Sequence, residues 1–262
     1  SCLVGSEMCI RDRSGIILNQ GDRIMIDKMV GKTEVALYGL AYSIGMLVQL
    51  FISGMNSALT PWMYSKIKKG DIRSMRKVLQ LLSVVVVGIA VALMLISPEL
   101  VLIFGSPKYR EAVYVIPPVA ASVFFIFIYN ILSMPQFYYE KTQFLMAASM
   151  AAAGANVVLN FIFIRLFGYI AAGYTTLACY MLYSVGHYIV SKRILVNEGI
   201  QENLMNPGFL LACSVFLIGA SIICNLIFPY RILRYAILLA SAGLVFWKKE
   251  LLLKTMADIR KK

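Results

Sequence analysis

The segment VLQLLSVVVVGIAVALMLIS, residues 78–97, is 20 residues long and carries no charged side chain. A helix needs about 20 apolar residues to cross the ~30 Å hydrocarbon core of a bilayer. Similar runs recur along the 262 residues, of which 60% are hydrophobic and 15% charged, and the mean hydropathy is +0.77. Soluble domains do not have this composition. The sequence predicts an all-α, polytopic helical bundle in a membrane, and the absence of alternating segments of about ten residues argues against a barrel.

The apolar runs predict seven complete membrane spans after an incomplete first one. They lie at about 15–30, 34–62, 78–97, 112–138, 143–165, 168–192, 207–228 and 231–252. The connections between them are short, so no separate soluble domain is expected.

The first residues of the chain differ from the rest. CLVGSEMCIRD, residues 2–12, back-translates into a transposase adapter used in sequencing libraries. We interpret residues 1–13 as an adapter remnant and leave them out of the fold. On this interpretation Cys2 and Cys9 are not native, and the natural chain continues upstream.

Lys and Arg concentrate in alternate connections. Fifteen of them lie at residues 66–77, 141, 192–193 and 248–262, against seven in the intervening connections. The positive-inside rule then places the richer side, with the C-terminus, in the cytoplasm. Topology therefore accounts for the net charge of +12, and no nucleic-acid partner is predicted.

Catalytic residue sets are missing from the sequence. There is one histidine, His187, and no Ser/His/Asp set, loop carboxylate pair or Gly-rich phosphate loop. The thiols of Cys179, Cys213 and Cys224 lie in apolar runs without Cys-x-x-Cys spacing, which is typical of small core residues. We therefore predict no catalytic residue, no metal site and no cofactor.

Charged residues interrupt the first apolar run, GIILNQGDRIMIDKMVG, residues 15–31, at Asp22 and Arg23. Each ionised group at a bilayer centre costs roughly 2.5–3.5 kcal/mol. Adjacent helix residues point about 100° apart, so we expect the two to face different polar neighbours or to border a water-filled cavity. There Arg23 would suit a phosphate or an acidic sugar, and Asp22 a basic partner or a coupling cation. A structural ion pair between helices is the alternative.

Polar residues follow one face of the predicted 34–62 helix at steps of three and four. They are Tyr38, Tyr42, Gly45, Gln49, Ser53, Asn56 and Thr60. Their spacing indicates a hydrated cavity, and the alternative is helix packing through small and polar residues. The size and depth of Gln49 and Asn56 favour the cavity.

Later spans carry further polar groups. Asn130 is available on a span in which Pro117, Pro118 and Pro135 are expected to break the hydrogen-bond ladder. Asn156 and Asn160 lie one helical turn apart. The next span places four residues on one face: Thr176, Tyr180, Tyr183 and His187. A lone histidine there is more typical of a hydrogen-bonded interior residue than of a proton carrier.

Four stretches, in this order, carry a family resemblance. They are GDRIMIDKMVGKTEVALYGLAYSIG (21–45), TPWMYSKIKKGD (60–71), FGSPKYREAVYVIPP (104–118) and NVVLNFIFIRLFGYIAAGYTTLACY (156–180). The sequence resembles the polysaccharide (O-antigen-type, Wzx-like) flippases of the multidrug/oligosaccharidyl-lipid/polysaccharide (MOP) exporter superfamily. The resemblance implies that residues 14–193 form a C-terminal six-helix lobe, helices 7–12 with the first truncated. Residues 194–262 would add helices 13–14 and a basic cytoplasmic tail, and the N-terminal lobe would be absent.

The resemblance implies a transporter and not an enzyme. Its substrate would be an undecaprenyl-pyrophosphate-linked oligosaccharide, moved across the bacterial inner membrane by alternating access. The implied partners are this substrate, the bilayer, and a polysaccharide polymerase with other glycan-assembly membrane proteins. The residues implied to line the substrate cavity are Arg23, Tyr38, Tyr42, Gln49, Ser53, Asn56 and Asn130.

Related lipid II flippases hold a sodium ion between helices 7, 11 and 12. The corresponding residues here would be Asp22, Asn156, Asn160 and Thr176, with only one carboxylate. Na⁺ and H⁺ are therefore equal candidates for the coupling ion, and His187 is a candidate proton carrier.

Three other functions stay open at this point. A multidrug or cation exporter of the same superfamily should need an acidic cavity. A membrane glycan polymerase or ligase should need a long external loop. A membrane scaffold for glycan-synthesis enzymes could have the same sequence pattern and differ only in its activity.

Overall fold

The computed structural model describes residues 20–247, with side chains for residues 20–240, and all regular structure in this range is helical. We number the helices α1 (residues 20–29), α2 (Lys32–Gly45), α3 (Leu47–Lys68), α4 (Ile72–Phe104), α5 (Ile116–Tyr138), α6 (Gln143–Phe167), α7 (Ala171–Asn197), α8 (Pro207–Ile227) and α9 (Arg231–Trp247), with a 3₁₀ helix at Pro107–Val115. The predictions about residues 1–13, the start of the first span and the tail at 248–262 lie outside the described residues.

Five helical segments in the described range are long and apolar enough to cross a membrane: Lys32–Lys68, Ile72–Phe104, Pro107–Tyr138, Gln143–Phe167 and Pro207–Ile227. The predicted class, an all-α polytopic membrane protein, is confirmed. Helix α7 has the length, at 27 residues, but its Thr, Tyr, Ser and His side chains make it more polar than these five.

Helix α5 is the centre of the bundle. Within its membrane-length window 89% of residues are buried inside the protein, against 17% for α8. Its most extensive packing is against α7, and α2, α3, α4 and α8 also pack on it. Helix α6 packs on α7, and α8 and α9 pack on α4. An all-round apolar sequence therefore becomes the core helix, as expected for a helix without a polar face.

The single helix expected over residues 34–62 is two helices, separated at Met46. Gly45, the last residue of α2, lies so close to α5 that a Cβ atom there would be 2.6 Å from Val119 Cγ1. Glycine permits this approach and also weakens the helix locally. The polar face predicted for one continuous helix is consequently divided between α2 and α3.

The expected effect of two prolines was also wrong. Pro117 and Pro118 lie in the first turn of α5, where a backbone N–H has no helical partner to lose. They start the helix and do not break it. Pro135 lies inside α5, near its end at Tyr138.

The ends of several helices meet at one end of the bundle. The Tyr64 ring of α3 lies 5.5 Å from the Tyr138 ring of α5, and Arg76 Nε of α4 donates to the Asn203 carbonyl after α7, at 2.7 Å. We call this the basic end because it carries Lys66, Lys68, Lys69, Arg73, Arg76, Lys77, Lys141, Lys192 and Arg193.

Candidate functional site

Asp22 of α1 is the centre of a buried polar cluster formed by four helices. Its carboxylate is fully buried. It accepts hydrogen bonds from Tyr38 Oη of α2 at 2.5 Å, from Asn160 Nδ2 of α6 at 2.5 Å and from Thr176 Oγ1 of α7 at 2.8 Å. Both carboxylate oxygens are thus held by donors from different helices, and the cluster fixes α1 against the rest of the bundle.

Two further polar residues, Asn156 and Thr175, contact Asn160 and orient its side-chain amide. Asn160 Nδ2 also donates to Asn156 Oδ1 at 3.0 Å, and the Thr175 hydroxyl donates to Asn160 Oδ1. The Asn156 Nδ2 atom is buried and makes no hydrogen bond within the part of the chain that the structure describes. Asp22, Asn156, Asn160 and Thr176, which the resemblance implies as a possible cation site, are therefore brought together.

No cation pairs with Asp22 among residues 20–240. A buried carboxylate held only by neutral donors pays a large desolvation cost. A proton or a small cation would remove that cost. The oxygens of Asp22, Asn156 and the Thr176 hydroxyl are ligands of the hard, oxygen-donor kind that alkali cations take. Groups of three or more His, Cys, Asp or Glu that could hold a metal ion do not occur in the described residues.

Arg23 faces a different neighbour. Its guanidinium lies 5.5 Å from the centroid of the Tyr42 ring, and the side chain is half-buried. Its Nε atom is buried without a hydrogen-bond partner, and Arg23 makes no ion pair with any residue that the structure describes. Asp22 and Arg23 thus have separate surroundings, and the described residues contain no interhelical ion pair at either one.

The remaining cavity candidates are not in one place. Tyr38 and Tyr42 point into the core on α2, with their ring centroids 5.8 Å apart. On α3, Gln49 and Asn56 are half-buried, and their side-chain oxygens are buried without partners among the described residues. Ser53 is exposed and its hydroxyl donates to the Gln49 carbonyl at 2.9 Å.

Asn130 is half-buried on α5. It lies next to Tyr129, whose ring centroid is 4.7 Å from that of Tyr183 and 6.2 Å from that of Tyr180 on α7. Asn130 follows Tyr129 and so points to a neighbouring face of α5, about 100° away.

His187 forms a separate buried site nearer the basic end. Its Nδ1 atom lies 2.8 Å from Gln136 Nε2 of α5, and the rings of Tyr183 and Phe144 pack at 4.5 and 5.5 Å between centroids. Since Gln136 Nε2 also donates to the Leu132 carbonyl, Nδ1 accepts and the neutral ring carries its proton on Nε2. His187 follows Thr176 by eleven residues, about 16 Å along α7, so it does not belong to the Asp22 cluster.

Several residues of these sites were not predicted. Thr175 donates a hydrogen bond to Asn160, and Gln136 donates one to His187. In the sequence, Thr175 and Gln136 stand out only as polar residues within apolar runs. The pair of Glu99 and Arg234 was also missed. A signal for it existed at Glu99, which is the lone charge in the apolar stretch 78–104, and such charges pair at membrane depth.

The fold and the Asp22 cluster define a polytopic helical membrane protein with a buried carboxylate between its helices, held by three hydrogen bonds and paired with no cation among the described residues. The chain belongs to the MatE family, which it matches over residues 16–162, more than half of its length. Members of this family are membrane transporters of the MOP type.

The chain is also similar to a curated protein of Haemophilus influenzae described as an uncharacterized membrane protein. The two are 30% identical over 144 residues, which is 52% of this chain and 34% of the relative. The chain thus spans about a third of the length of that relative. No solved structure matches the chain.

Proposed function

We propose that the chain is part of a flippase that moves an undecaprenyl-pyrophosphate-linked oligosaccharide across the bacterial inner membrane. The two lobes of the whole protein would alternate between access to the two leaflets, with Na⁺ or H⁺ as the coupling ion. Transport of this kind needs a cation that meets the pyrophosphate and a group whose charge changes with the coupling ion.

The guanidinium of Arg23, which is unpaired among the described residues, is the observation that supports a phosphate-containing substrate. It is a permanent cation inside the bundle, it has no counter-ion among the described residues, and its guanidinium lies beside the Tyr42 ring. An arginine without an internal partner suits a phosphate oxygen, since the guanidinium can bind two oxygens at once. The half-buried Gln49 and Asn56 of α3 have buried side-chain oxygens without partners among the described residues, and a movement between the two lobes would be needed to expose them to sugar hydroxyls.

Asp22 supports the coupling role. Its charge is compensated by three hydrogen bonds and no cation, so binding of Na⁺ or H⁺ would change the network joining α1, α2, α6 and α7. The same burial argues against a cationic drug as substrate, because a fully enclosed carboxylate presents no surface to a bulky cation.

The test is genetic complementation with the full-length gene, obtained by extending the nucleotide sequence upstream, in a host lacking its own polysaccharide flippase. Arg23→Ala and Asp22→Asn are the test variants. Lys28→Ala and Asp27→Asn are matched controls, because both residues are exposed on the same helix. Surface polysaccharide is quantified, together with membrane levels of each variant.

The wild type and both controls are expected to restore polysaccharide. Arg23→Ala and Asp22→Asn should each lower it about tenfold or more, the effect of losing a charged hydrogen-bond partner. Full activity of both test variants would overturn the assigned roles. Failure of the wild type together with export of cationic dyes would replace the flippase with the drug-exporter function.

A further inference from the structure

An apolar cavity of about 260 Å³ lies between α8 and the α5–α7 pair. Its walls include Phe125 and Ile128 of α5, Val185 and Tyr188 of α7, and Leu211 and Ser214 of α8. Helix α8 is the least buried of the candidate membrane spans, so the cavity lies where the bundle meets the bilayer.

The walls offer little for a polar ligand. The two serine hydroxyls in the lining are already used within their own helices, since Ser184 donates to the Met181 carbonyl and Ser214 to the Leu210 carbonyl, both at 2.8 Å. A hydrocarbon chain therefore fits this cavity better than a sugar or a nucleotide.

The face of α7 that lines the cavity also carries a cation, Lys192, one turn beyond it. Val185, Tyr188 and Lys192 follow one another at steps of three and four and thus share one face of α7. Lys192 is exposed and makes no ion pair with any residue that the structure describes.

None of the ion pairs found among the described residues of the basic end involves Lys192. Glu202 is engaged by Arg73 at 2.6 Å and by Arg76 at 3.5 Å. Lys192 therefore remains as an exposed cation one turn beyond the apolar cavity.

We propose that this cleft is a binding site for an anionic phospholipid of the surrounding bilayer, with its phosphate at Lys192 and one acyl chain between α8 and the α5–α7 pair. The inference does not depend on the transported substrate. The bound lipid would fill the gap under α8 and attach the α8–α9 hairpin to the core of the bundle.

The test is native mass spectrometry of the purified 262-residue chain in detergent, titrated with phosphatidylglycerol or with phosphatidylcholine of the same acyl chains. Lys192→Gln removes the headgroup contact. Ser214→Phe and Val185→Trp fill the cavity from opposite walls. Lys68→Gln, an exposed lysine of the basic end, and Ser57→Phe, an exposed serine of α3, are the matched controls.

The wild type should bind phosphatidylglycerol more tightly than phosphatidylcholine. Lys192→Gln should weaken phosphatidylglycerol binding about five-fold and abolish the preference, as expected for one cation at an anionic headgroup. The cavity-filling variants should lose both lipids, and the controls should behave as the wild type.

An unchanged preference in Lys192→Gln overturns the proposal, and so does full lipid binding by both filling variants. Thermal melting shows whether the cavity-filling variants are folded. If neither variant is folded, the test depends on the ratio of phosphatidylglycerol to phosphatidylcholine affinity in Lys192→Gln. Adducts of a second chain in place of lipid, or binding of undecaprenyl phosphate without phosphatidylglycerol, would also overturn it.

Discussion

Asp22 and Tyr38 form a fully enclosed polar contact between α1 and α2. Both side chains are fully buried, and the Tyr38 hydroxyl donates to the carboxylate at 2.5 Å. A hydrogen bond to an ionised group contributes about twice as much as one between neutral groups. The stability of this contact therefore reports whether Asp22 carries its charge in the folded protein.

Tyr38→Phe keeps the ring and removes the donor, so packing is preserved. With Asp22 ionised, we expect a loss of about 1.5–3 kcal/mol in the free energy of unfolding. In an Asp22→Asn background the loss should fall to about 1 kcal/mol, as for a neutral hydrogen bond. Denaturation in detergent measures both, and Tyr64→Phe at the basic end is the control. Equal losses in the two backgrounds would contradict a charged Asp22.

At the scale of the secondary-structure element, the α3–α4 connection shows how one side chain can join the last turn of one helix to the first turn of the next. The Asp71 carboxylate accepts from Lys66 Nζ of α3 at 2.6 Å and from the Ser74 backbone N–H at 3.3 Å, which makes it the N-cap of α4. Lys66 is itself buried. These contacts, the Lys66 hydrogen bond foremost, lower the pKa of Asp71 from 3.8 to about 2.

This lowered pKa predicts a pH dependence for the start of α4. The ionised carboxylate is favoured in the folded state, so its contribution is complete above pH 3.8 and is lost as the pH falls through about 2. Asp71→Asn keeps a capping oxygen and removes the charge. The difference in melting temperature between wild type and Asp71→Asn should therefore be present at neutral pH and disappear in this acidic range.

Lys66→Met provides the comparison, because it removes the main cause of the shift. In this background the Asp71→Asn difference should be smaller and should vanish at a higher pH. A difference that persists unchanged down to the lowest pH would show that the charge of Asp71 does not stabilise the connection.

For the whole molecule, α4 connects the bundle to the α8–α9 hairpin at both of its ends. At the basic end, Arg73 and Arg76 contact Glu202 after α7. At the other end, Arg234 of α9 forms two hydrogen bonds of 2.8 Å to the Glu99 carboxylate and one of 2.7 Å to the Leu95 carbonyl. The hairpin and α4 are thus joined as one body.

Arg234→Gln should remove the contact between α9 and α4 at the end of the bundle opposite the basic end. Removing Arg234 leaves the charge of Glu99, whose side chain is 24% exposed. We therefore expect a loss of about 1.5–3 kcal/mol, the value of hydrogen bonds to a charged group, which is less than the cost of breaking a fully buried pair. Thermal melting and deuterium exchange of α9 measure the effect. Adding Glu99→Gln should recover part of the loss. Arg231→Gln removes an exposed arginine of the same helix and should have little effect; equal losses for Arg231 and Arg234 would refute the connection.

The helices themselves could be predicted from the sequence. The length of an apolar run and its lack of charge decide whether it crosses a bilayer, and both are local properties of the chain. The expected spans at 143–165 and 207–228 differ from the observed Gln143–Phe167 and Pro207–Ile227 by at most two residues at either end. The break at Met46 was not predicted, because it coincides with the contact of Gly45 with Val119 of another helix.

The polar candidates were predictable as residue types and not as partners. Family resemblance grouped Asp22 with Asn156, Asn160 and Thr176, and the structure brings them together, while their role as an ion site remains a prediction. Thr175 and the Tyr38 contact to Asp22 followed from no sequence pattern.

The sequence by itself determined the class of the protein, the approximate position of most of its membrane spans and the charged residues that need partners. The tertiary structure decided which partners they have. Asp22 and Asn160 are 138 positions apart, and Arg234 and Glu99 are 135 apart. Contacts over such separations depend on which helices pack side by side and in which register. Apolar periodicity does not encode this choice, because one lipid-like helix surface resembles another.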